Sequence, residues 1–439
     1  MASITKRGNT YRIRVSNGRD SQGRQLFEST TFTPDPARTE KQNQKALEIF
    51  TLKFEEQVKS GKYLDGEKLT FAAFSDIWLK EYASERLAPA TLRMYRGLLR
   101  DHIIPAIGSV KLAKLQPRTL NQLYNKLLNT PKARGGTLSP ASVRRIHSTI
   151  STIYSTAVRW NVCLENPCER AEPPKLHRNA DDVKYFTLEE AQLFLSILDR
   201  PMVCPQCARN RKDDTGAVYH VEPYTELQPI QPQFKLFFYM ALFLGCRRGE
   251  LIALQWSDID FQAQTASITK STYPAKGQLI TKEPKNKTSI RTVAVPAAIL
   301  TMLKEQHKAQ MQEALRLGTA WEGKISPKDF EQNFIFTQWN GRQMYPSTPY
   351  AAFHKIISRY NAALPEGGTP LPLIPLHGLR HTSATLLISQ NIDIRTVSGR
   401  LGHAQTSTTM NIYAHSLKKM DVAAADTLQS LLVNPPRTC

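Results

Sequence analysis

No run in this chain is long and apolar enough to cross a bilayer. The greasiest stretch, 234–245, carries Lys235 and reads as a buried helix. Met1 to Thr10 holds no apolar signal core. Cysteine is scarce, with six in 439 residues, and their scatter excludes a disulfide framework. A reducing cytoplasm is therefore the expected compartment. Cys204 and Cys207 supply only half of a tetrahedral zinc site. His220 offers a third donor, but no convincing fourth follows, so no metal and no other cofactor is expected. Acidic residues are also few, 38 against 58 lysines and arginines.

The resulting net charge of +20 is what the chain has in excess. A positive surplus of that size repels itself unless a polyanion neutralises it, so nucleic acid is the expected partner. The competing reading of the charge is nonspecific contact with RNA or acidic membranes. With 41% hydrophobic and 22% charged residues, the composition is that of a globular protein. Its length predicts two or three domains.

Residues 1–62 read as a small sheet followed by a helix. Tyr11, Ile13 and Val15 alternate with Arg12 and Arg14, giving a strand with one apolar and one basic face. The basic face is either solvated or laid into a DNA groove. A second strand is expected from Arg24 to Thr33. A helix is expected from about Pro36 to Lys59, with Leu47, Phe50, Phe54 and Val58 on one side.

Residues 63–172 read as all-helical. Phe71, Phe74 and Trp78 mark one amphipathic helix; Leu92, Tyr95 and Leu99 face the core from the next. Arg93, Arg96 and Arg100 then share one helix face. Val143, Ile146, Ile150, Ile153 and Ala157 point inward from a later helix, beside Arg144 and Arg145. Arginine stripes are usually solvated; two of them in so basic a chain favour phosphate contact. Three prolines in 166–174 mark a linker. Thr187 with Glu190 forms a capping-box pattern that opens the largest unit, 180–425. The proline-flanked stretch of about 201–232 reads as an insertion loop.

Four blocks carry the chemistry. At 245–251 the string is Gly-Cys-Arg-Arg-Gly-Glu-Leu: a buried helix ends at glycine, and Arg247 can reach inward with Glu250 near enough to orient it. At 284–291, Pro-Lys-Asn-Lys-Thr-Ser-Ile-Arg places Lys285 and Lys287 in a turn read as a hairpin tip. At 377–382, His377 and Arg380 open a helix, where dipole and free N–H groups attract anions. At 401–413, Leu-Gly-His is followed by Ile-Tyr.

In order and rough spacing these blocks resemble the catalytic domain of tyrosine recombinases, the phage and conjugative-transposon integrases. The resemblance implies a multidomain chain: a small α+β arm-binding domain (1–62), an all-α, SAM-like core-binding domain (63–172), a mainly α catalytic domain (180–425) with a small antiparallel β-sheet, and a tail (426–439). It implies Arg247 and Arg380 as the phosphate-binding arginines, His377 as proton acceptor and His403 as a second histidine on the phosphate. Lys285 becomes the general acid, Glu250 the supporting acid and Tyr413 the nucleophile. Shifting the turn alignment by two residues exchanges Lys285 for Lys287.

Further implications are a 3′-phosphotyrosine and a Holliday junction, reached without metal or ATP, by a bacterial, DNA-associated enzyme. The implied partners are core-type and arm-type attachment sites on double-stranded DNA, and three further copies of the chain in a DNA-bound homotetramer. An excision factor and a DNA-bending protein are the accessory partners. Val422, Ala425, Leu428 and Leu431 recur at helical spacing, and the family implies that this segment docks on a neighbouring protomer. Two rivals remain. A tyrosine-using topoisomerase has no need of an arm-type module. A purely DNA-binding regulator leaves the ordered Arg, Lys, His, Arg, His and Tyr unexplained.

Overall fold

The computed structural model describes residues 2–19, 22–59, 68–131, 135–176, 184–206, 208–212, 215–275, 277–283, 289–402 and 429. The chain divides into two compact units, Met1–His177 and Arg178–Cys439.

In the first unit, β1 (Ser3–Arg7), β2 (Thr10–Arg19) and β3 (Gln25–Phe32) form an antiparallel sheet in that order. Ile13 pairs with Ile4 and Thr30, which sends Ile13 and Val15 to one face and Arg12 and Arg14 to the other. Both apolar residues are buried, against Leu47, Phe54 and Val58 of α1 (Glu40–Lys59). The helix starts later than expected because Asp35 and Asn43 hydrogen-bond the preceding turn. Phe50 stays 38% exposed, with its ring 5.4 Å from that of Phe32.

A second core in this unit is helical. It gathers α2 (Phe71–Trp78), α3 (Ser84–Arg86), α4 (Pro89–Leu98), α5 (Ile104–Ile107), α6 (Pro117–Asn129) and α7 (Pro140–Arg159). Thr70 caps α2 by accepting from the Ala73 N–H, and Ser139 caps α7 through Ser142. The Trp78 indole donates to Thr156 across the core at 3.1 Å, so its burial leaves no unmet donor. The five apolar residues expected to point inward from α7 are all buried. A π-helical turn, Leu99–Ile103, follows α4. Arg100 lies within this turn.

The second unit is built round α9 (Pro232–Leu244), which follows α8 (Leu188–Ile197). Leu236, Phe237, Phe238, Met240, Leu242 and Leu244 are buried around most of its circumference, as the greasy run predicts. Lys235 escapes by pairing with Asp199. The capping box at Thr187 and Glu190 is present. Phe186, Phe194, Phe238 and Phe353 pack their rings tilted and edge-to-face in one cluster.

After α10 (Arg248–Ala253) come β8 (Ile259–Asp260), β9 (Thr265–Ile268), β10 (Ser271–Ala275), β11 (Gln278–Lys282) and β12 (Arg291–Ala294). Strand order among the described residues is β12-β9-β8 in one sheet and β10-β11 in another. Among the described residues, α11 (Ala297–Leu317), α12 (Ser347–Ala362), α13 (Gly378–Ser389) and α14 (Ile394–Leu401) follow.

The structure corrects two expectations. The 201–232 stretch is not a plain loop. It holds β4 (Met202–Gln206) paired with β7 (Tyr224–Gln228), and inside them β5 (Arg209–Lys212) paired with β6 (Val218–Val221). Cys204 is buried, with its sulfur against the Arg359 guanidinium of α12. His220 is engaged by Asn210 at 2.9 Å, and Cys207 lies outside the described residues. Second, the segment between β11 and β12 does not cap two hydrogen-bonded partners: β11 pairs with β10, and β12 with β9.

Candidate active site

The site begins where α9 stops. Gly245 adopts φ +62°, and a Cβ there would sit 2.6 Å from a Leu401 methyl, so glycine alone fits. The reversal leaves Arg247 in extended geometry just ahead of α10. Three residues on, the Glu250 carboxylate accepts from the Arg247 backbone N–H at 2.9 Å and from its guanidinium at 2.7 Å. The Glu250 side chain is only 3% exposed. Burial raises its pKa, but Arg291 and then Arg247 more than offset this and hold it below the ordinary carboxylate value.

Helix α13 supplies the opposing groups. His377 stands at its N-cap and keeps an exposed face, while Arg380 is 2% exposed. Arg380 Nη1 donates to the Gly245 carbonyl at 2.8 Å. Its Nη2 is buried and has no hydrogen-bond partner among the described residues. Burial and then the charge of Arg247 lower the Arg380 pKa to about 10, which still leaves the group cationic at neutral pH. Burial, Arg380 and Arg247 together press the His377 pKa down to about 4. His381, edge-on to His377 at 4.9 Å between ring centroids, is also lowered to about 4, by burial and then by His377. At pH 7 both imidazoles are therefore neutral.

The last turn of α14 closes the arrangement. Gly402 sits at φ +69° and its carbonyl accepts from Arg247 Nη2 at 3.3 Å. Arg247, Glu250, His377 and Arg380 thus meet in one region of the second unit. Lys285, Lys287, His403 and Tyr413 lie outside the described residues.

An arginine with an unmet buried N–H, beside a second arginine and a neutral histidine, is a receptor for an anion. The chain matches the phage integrase family over residues 212–420, and the N-terminal SAM-like domain of phage integrases over residues 70–128. This chain belongs to the phage integrase family of tyrosine recombinases. It is a DNA strand-transfer enzyme.

Among its relatives, a XerC-like tyrosine recombinase of Caldanaerobacter subterraneus is 25% identical over 435 residues, 96% of each chain. The ICEBs1 integrase of Bacillus subtilis is 27% identical over 335 residues, 76% of each chain. The integrase of Staphylococcus phage L54a is 25% identical, covering 87% of this chain and 98% of its own. Among solved structures, the Tn1549 transposon integrase in complex with a circular intermediate DNA shares the fold. Its TM-score is 0.60 at 17% identity, over 82% of this chain and 99% of that one.

The arginines expected to touch DNA all belong to the first unit. Arg12 and Arg14 lie on the exposed face of β2, where Arg14 stacks on Phe27 at 3.7 Å. Arg93 and Arg96 are exposed on α4, whereas Arg100 is engaged by Asp101. Arg144 and Arg145 are exposed on α7, with Arg144 reaching the Pro174 carbonyl at 3.4 Å.

Sequence reasoning overlooked Arg291, whose guanidinium donates to Glu250 at 2.9 Å. A signal was available. Arg291, Val293 and Val295 fall at every second position, and both valines are buried, so the arginine had to point inward. It also overlooked Thr382, whose hydroxyl accepts from the Phe186 N–H at 2.9 Å and so fixes the chain just ahead of α8 to α13.

Proposed function

We propose that this recombinase cuts DNA by attack of the Tyr413 hydroxyl on a phosphodiester bracketed by Arg247 and Arg380. The observation that carries the reading is the buried Nη2 of Arg380, without a partner among the described residues, beside Arg247 and Glu250. Charge builds on the nonbridging oxygens in the transition state, and guanidinium donors match that geometry. A phenol with a pKa of about 10 is scarcely ionised at pH 7 and needs an acceptor. His377, held neutral, is that acceptor, and His403 donates to the phosphate. Lys285 protonates the leaving 5′ oxygen. The 3′-phosphotyrosine bond conserves the energy for rejoining, so attack by a second strand's 5′ hydroxyl yields a Holliday junction.

In this reading residues 1–62 bind arm-type sites through Arg12 and Arg14. Residues 63–172 grip core-type sites through Arg93, Arg96, Arg100, Arg144 and Arg145, and 180–425 perform the chemistry. Four copies assemble on DNA, each lending its tail to a neighbour, and integrate or excise a mobile element in a bacterial cytoplasm. An excision factor and a DNA-bending protein set direction. The basic charge, the two cores of the first unit and the exposed arginines support this division.

The test is a labelled suicide substrate on a denaturing gel. The parent chain forms a covalent protein–DNA band, and Tyr413→Phe binds the same DNA without forming it. A surviving band in the variant refutes the assignment. Lys285→Ala should cut slowly and recover on a 5′-bridging phosphorothiolate, whose sulfur leaves without a proton. Failure to recover moves the acid to Lys287 or elsewhere.

A further inference from the structure

Arg291 is 7% exposed at its side chain and holds groups from separate parts of the second unit. Its Nη2 donates to the Glu250 carboxylate at 2.9 Å and lies 3.6 Å from the Cys246 sulfur. Its Nε donates to the Arg400 carbonyl at 2.7 Å, in the last turn of α14. Its Nη1 donates to the Ser289 carbonyl at 3.1 Å. Gly402 packs flat on the same guanidinium: a Cβ there would come within 2.8 Å of Arg291 Nη1.

These partners are not a random set. Ser289 is the first described residue after 284–288, the segment that contains Lys285. Arg400 and Gly402 immediately precede 403–428, the segment that contains His403 and Tyr413. Glu250 braces Arg247, and Arg247 in turn holds the Gly402 carbonyl. One buried cation therefore fastens the described residues that flank both reactive segments, and ties them through Glu250 to Arg247.

We propose that Arg291 is a positioning residue that sets the general-acid segment and the nucleophile segment together against Arg247. Only guanidinium fits this task. It has several donors in a fixed plane, so it can satisfy carbonyls on two chain ends and a carboxylate at once. A lysine at the same place keeps the charge but commits a single ammonium, and cannot span all three.

This inference rests on the roles proposed for Tyr413 and Lys285. The experiment therefore carries Tyr413→Phe and Lys285→Ala as controls of that reading, and Arg291→Lys and Arg291→Met as tests of this one. Single-site DNA binding and covalent-adduct rates are measured on an ordinary phosphodiester and on the 5′-bridging phosphorothiolate. Both Arg291 variants are expected to bind DNA as the parent does. They should form adduct about 100-fold more slowly, the scale of a misplacement near 1 Å.

The distinguishing readout is partial rescue. Phosphorothiolate relieves the misplaced acid but not the misplaced nucleophile, so Arg291→Lys should recover only part of its loss, whereas Lys285→Ala recovers nearly all. Full rescue of Arg291→Lys, or none, overturns the joint role. So does an unchanged adduct rate, or a loss of binding in step with the loss of rate. If Arg291→Met does not fold, Gly402→Ala disturbs the same guanidinium with every polar group retained, and the same partial rescue is expected of it. Failure of the Tyr413→Phe control, with adduct surviving in that variant, instead rejects the proposed chemistry and with it the joint positioning role.

Discussion

Replacing Glu250 by glutamine removes one charge and almost no volume, so no cavity contributes to the result. What is lost is electrostatic. The carboxylate is 3% exposed and serves two guanidinium groups, at 2.7 Å from Arg247 and 2.9 Å from Arg291. It also accepts the Arg247 backbone N–H. Glutamine offers one accepting oxygen, and its NH2 must face one of these donors. Breaking one side of a buried ion pair typically costs about 3–5 kcal/mol. For a domain of roughly this size each kcal/mol corresponds to about 2–4 °C in Tm. The second unit should therefore melt roughly 6–20 °C lower, read by scanning calorimetry.

Arg247 would lose its brace at the same time, and adduct formation should fall by about 10–100-fold. Glu250→Leu should be worse than Glu250→Gln, because it removes the carboxylate from both guanidiniums, leaving Arg247 with the Gly402 carbonyl and Arg291 with those of Arg400 and Ser289. A shift below about 2 °C for Glu250→Gln, well under the range expected for a broken buried pair, would refute the reasoning. So would a leucine variant as stable as the parent: the buried carboxylate would then contribute nothing that apolar packing cannot replace.

The same geometry has other measurable consequences. His377 and His381 have folded pKa values of about 4. Against an unfolded value of about 6.5, the unfolded chain gains protons first, so stability falls as pH drops from 6.5 toward 4 and levels off below. Because His377 is exposed on one side, the pair should lose about 2 kcal/mol between pH 6.5 and 5 after discounting for solvent. Melting curves at pH 8 and pH 5 check this, and a slope unchanged in the double His→Gln variant argues against it. Gly245→Ala should destabilise by about 2 kcal/mol or more, since it adds strain at positive φ to a clash with Leu401. Urea midpoints measure that, and an unshifted midpoint would show that the α9 turn relaxes freely. Deleting residues from Asp421 onward should abolish synapsis on a two-site DNA while sparing single-site binding, as read by gel retardation.

The sequence disclosed those features that arise from local pattern. Alternation in β2, the capping box at Thr187 and the apolar run of α9 are each written in neighbouring residues, and each is present. The pairing of Glu250 with Arg247 was legible for the same reason, being three residues apart. Long-range features were not. Arg291 meets Glu250 across 41 positions and the Arg400 carbonyl across 109, distances over which spacing carries no signal. The ribbon at 202–228 was missed because proline and polar residues mask strand periodicity in a two-stranded element. The π-helical turn at Leu99–Ile103 was also not legible, since in sequence it looks identical to an α-helix.

Charge in the site is unbalanced, and this imbalance can be measured. Arg247, Arg291 and Arg380 converge on one region, with Glu250 as the buried carboxylate between them. Arg380 Nη2, buried and without a partner among the described residues, forgoes about 1–3 kcal/mol of hydrogen bonding until an anion arrives. An oxyanion bound there should raise folding stability by RT ln(1 + [L]/Kd), or about 1.4 kcal/mol at ten times its Kd. Millimolar sulfate, too dilute for general salting-out, should thus lift the Tm by about 3–6 °C over chloride at matched ionic strength. Arg380→Gln should abolish the difference while leaving the response to chloride alone. An equal sulfate effect in that variant would assign the stabilisation to the diffuse charge of +20 instead. The paired arginines would then be ordinary members of a basic surface, with no special claim on a phosphate.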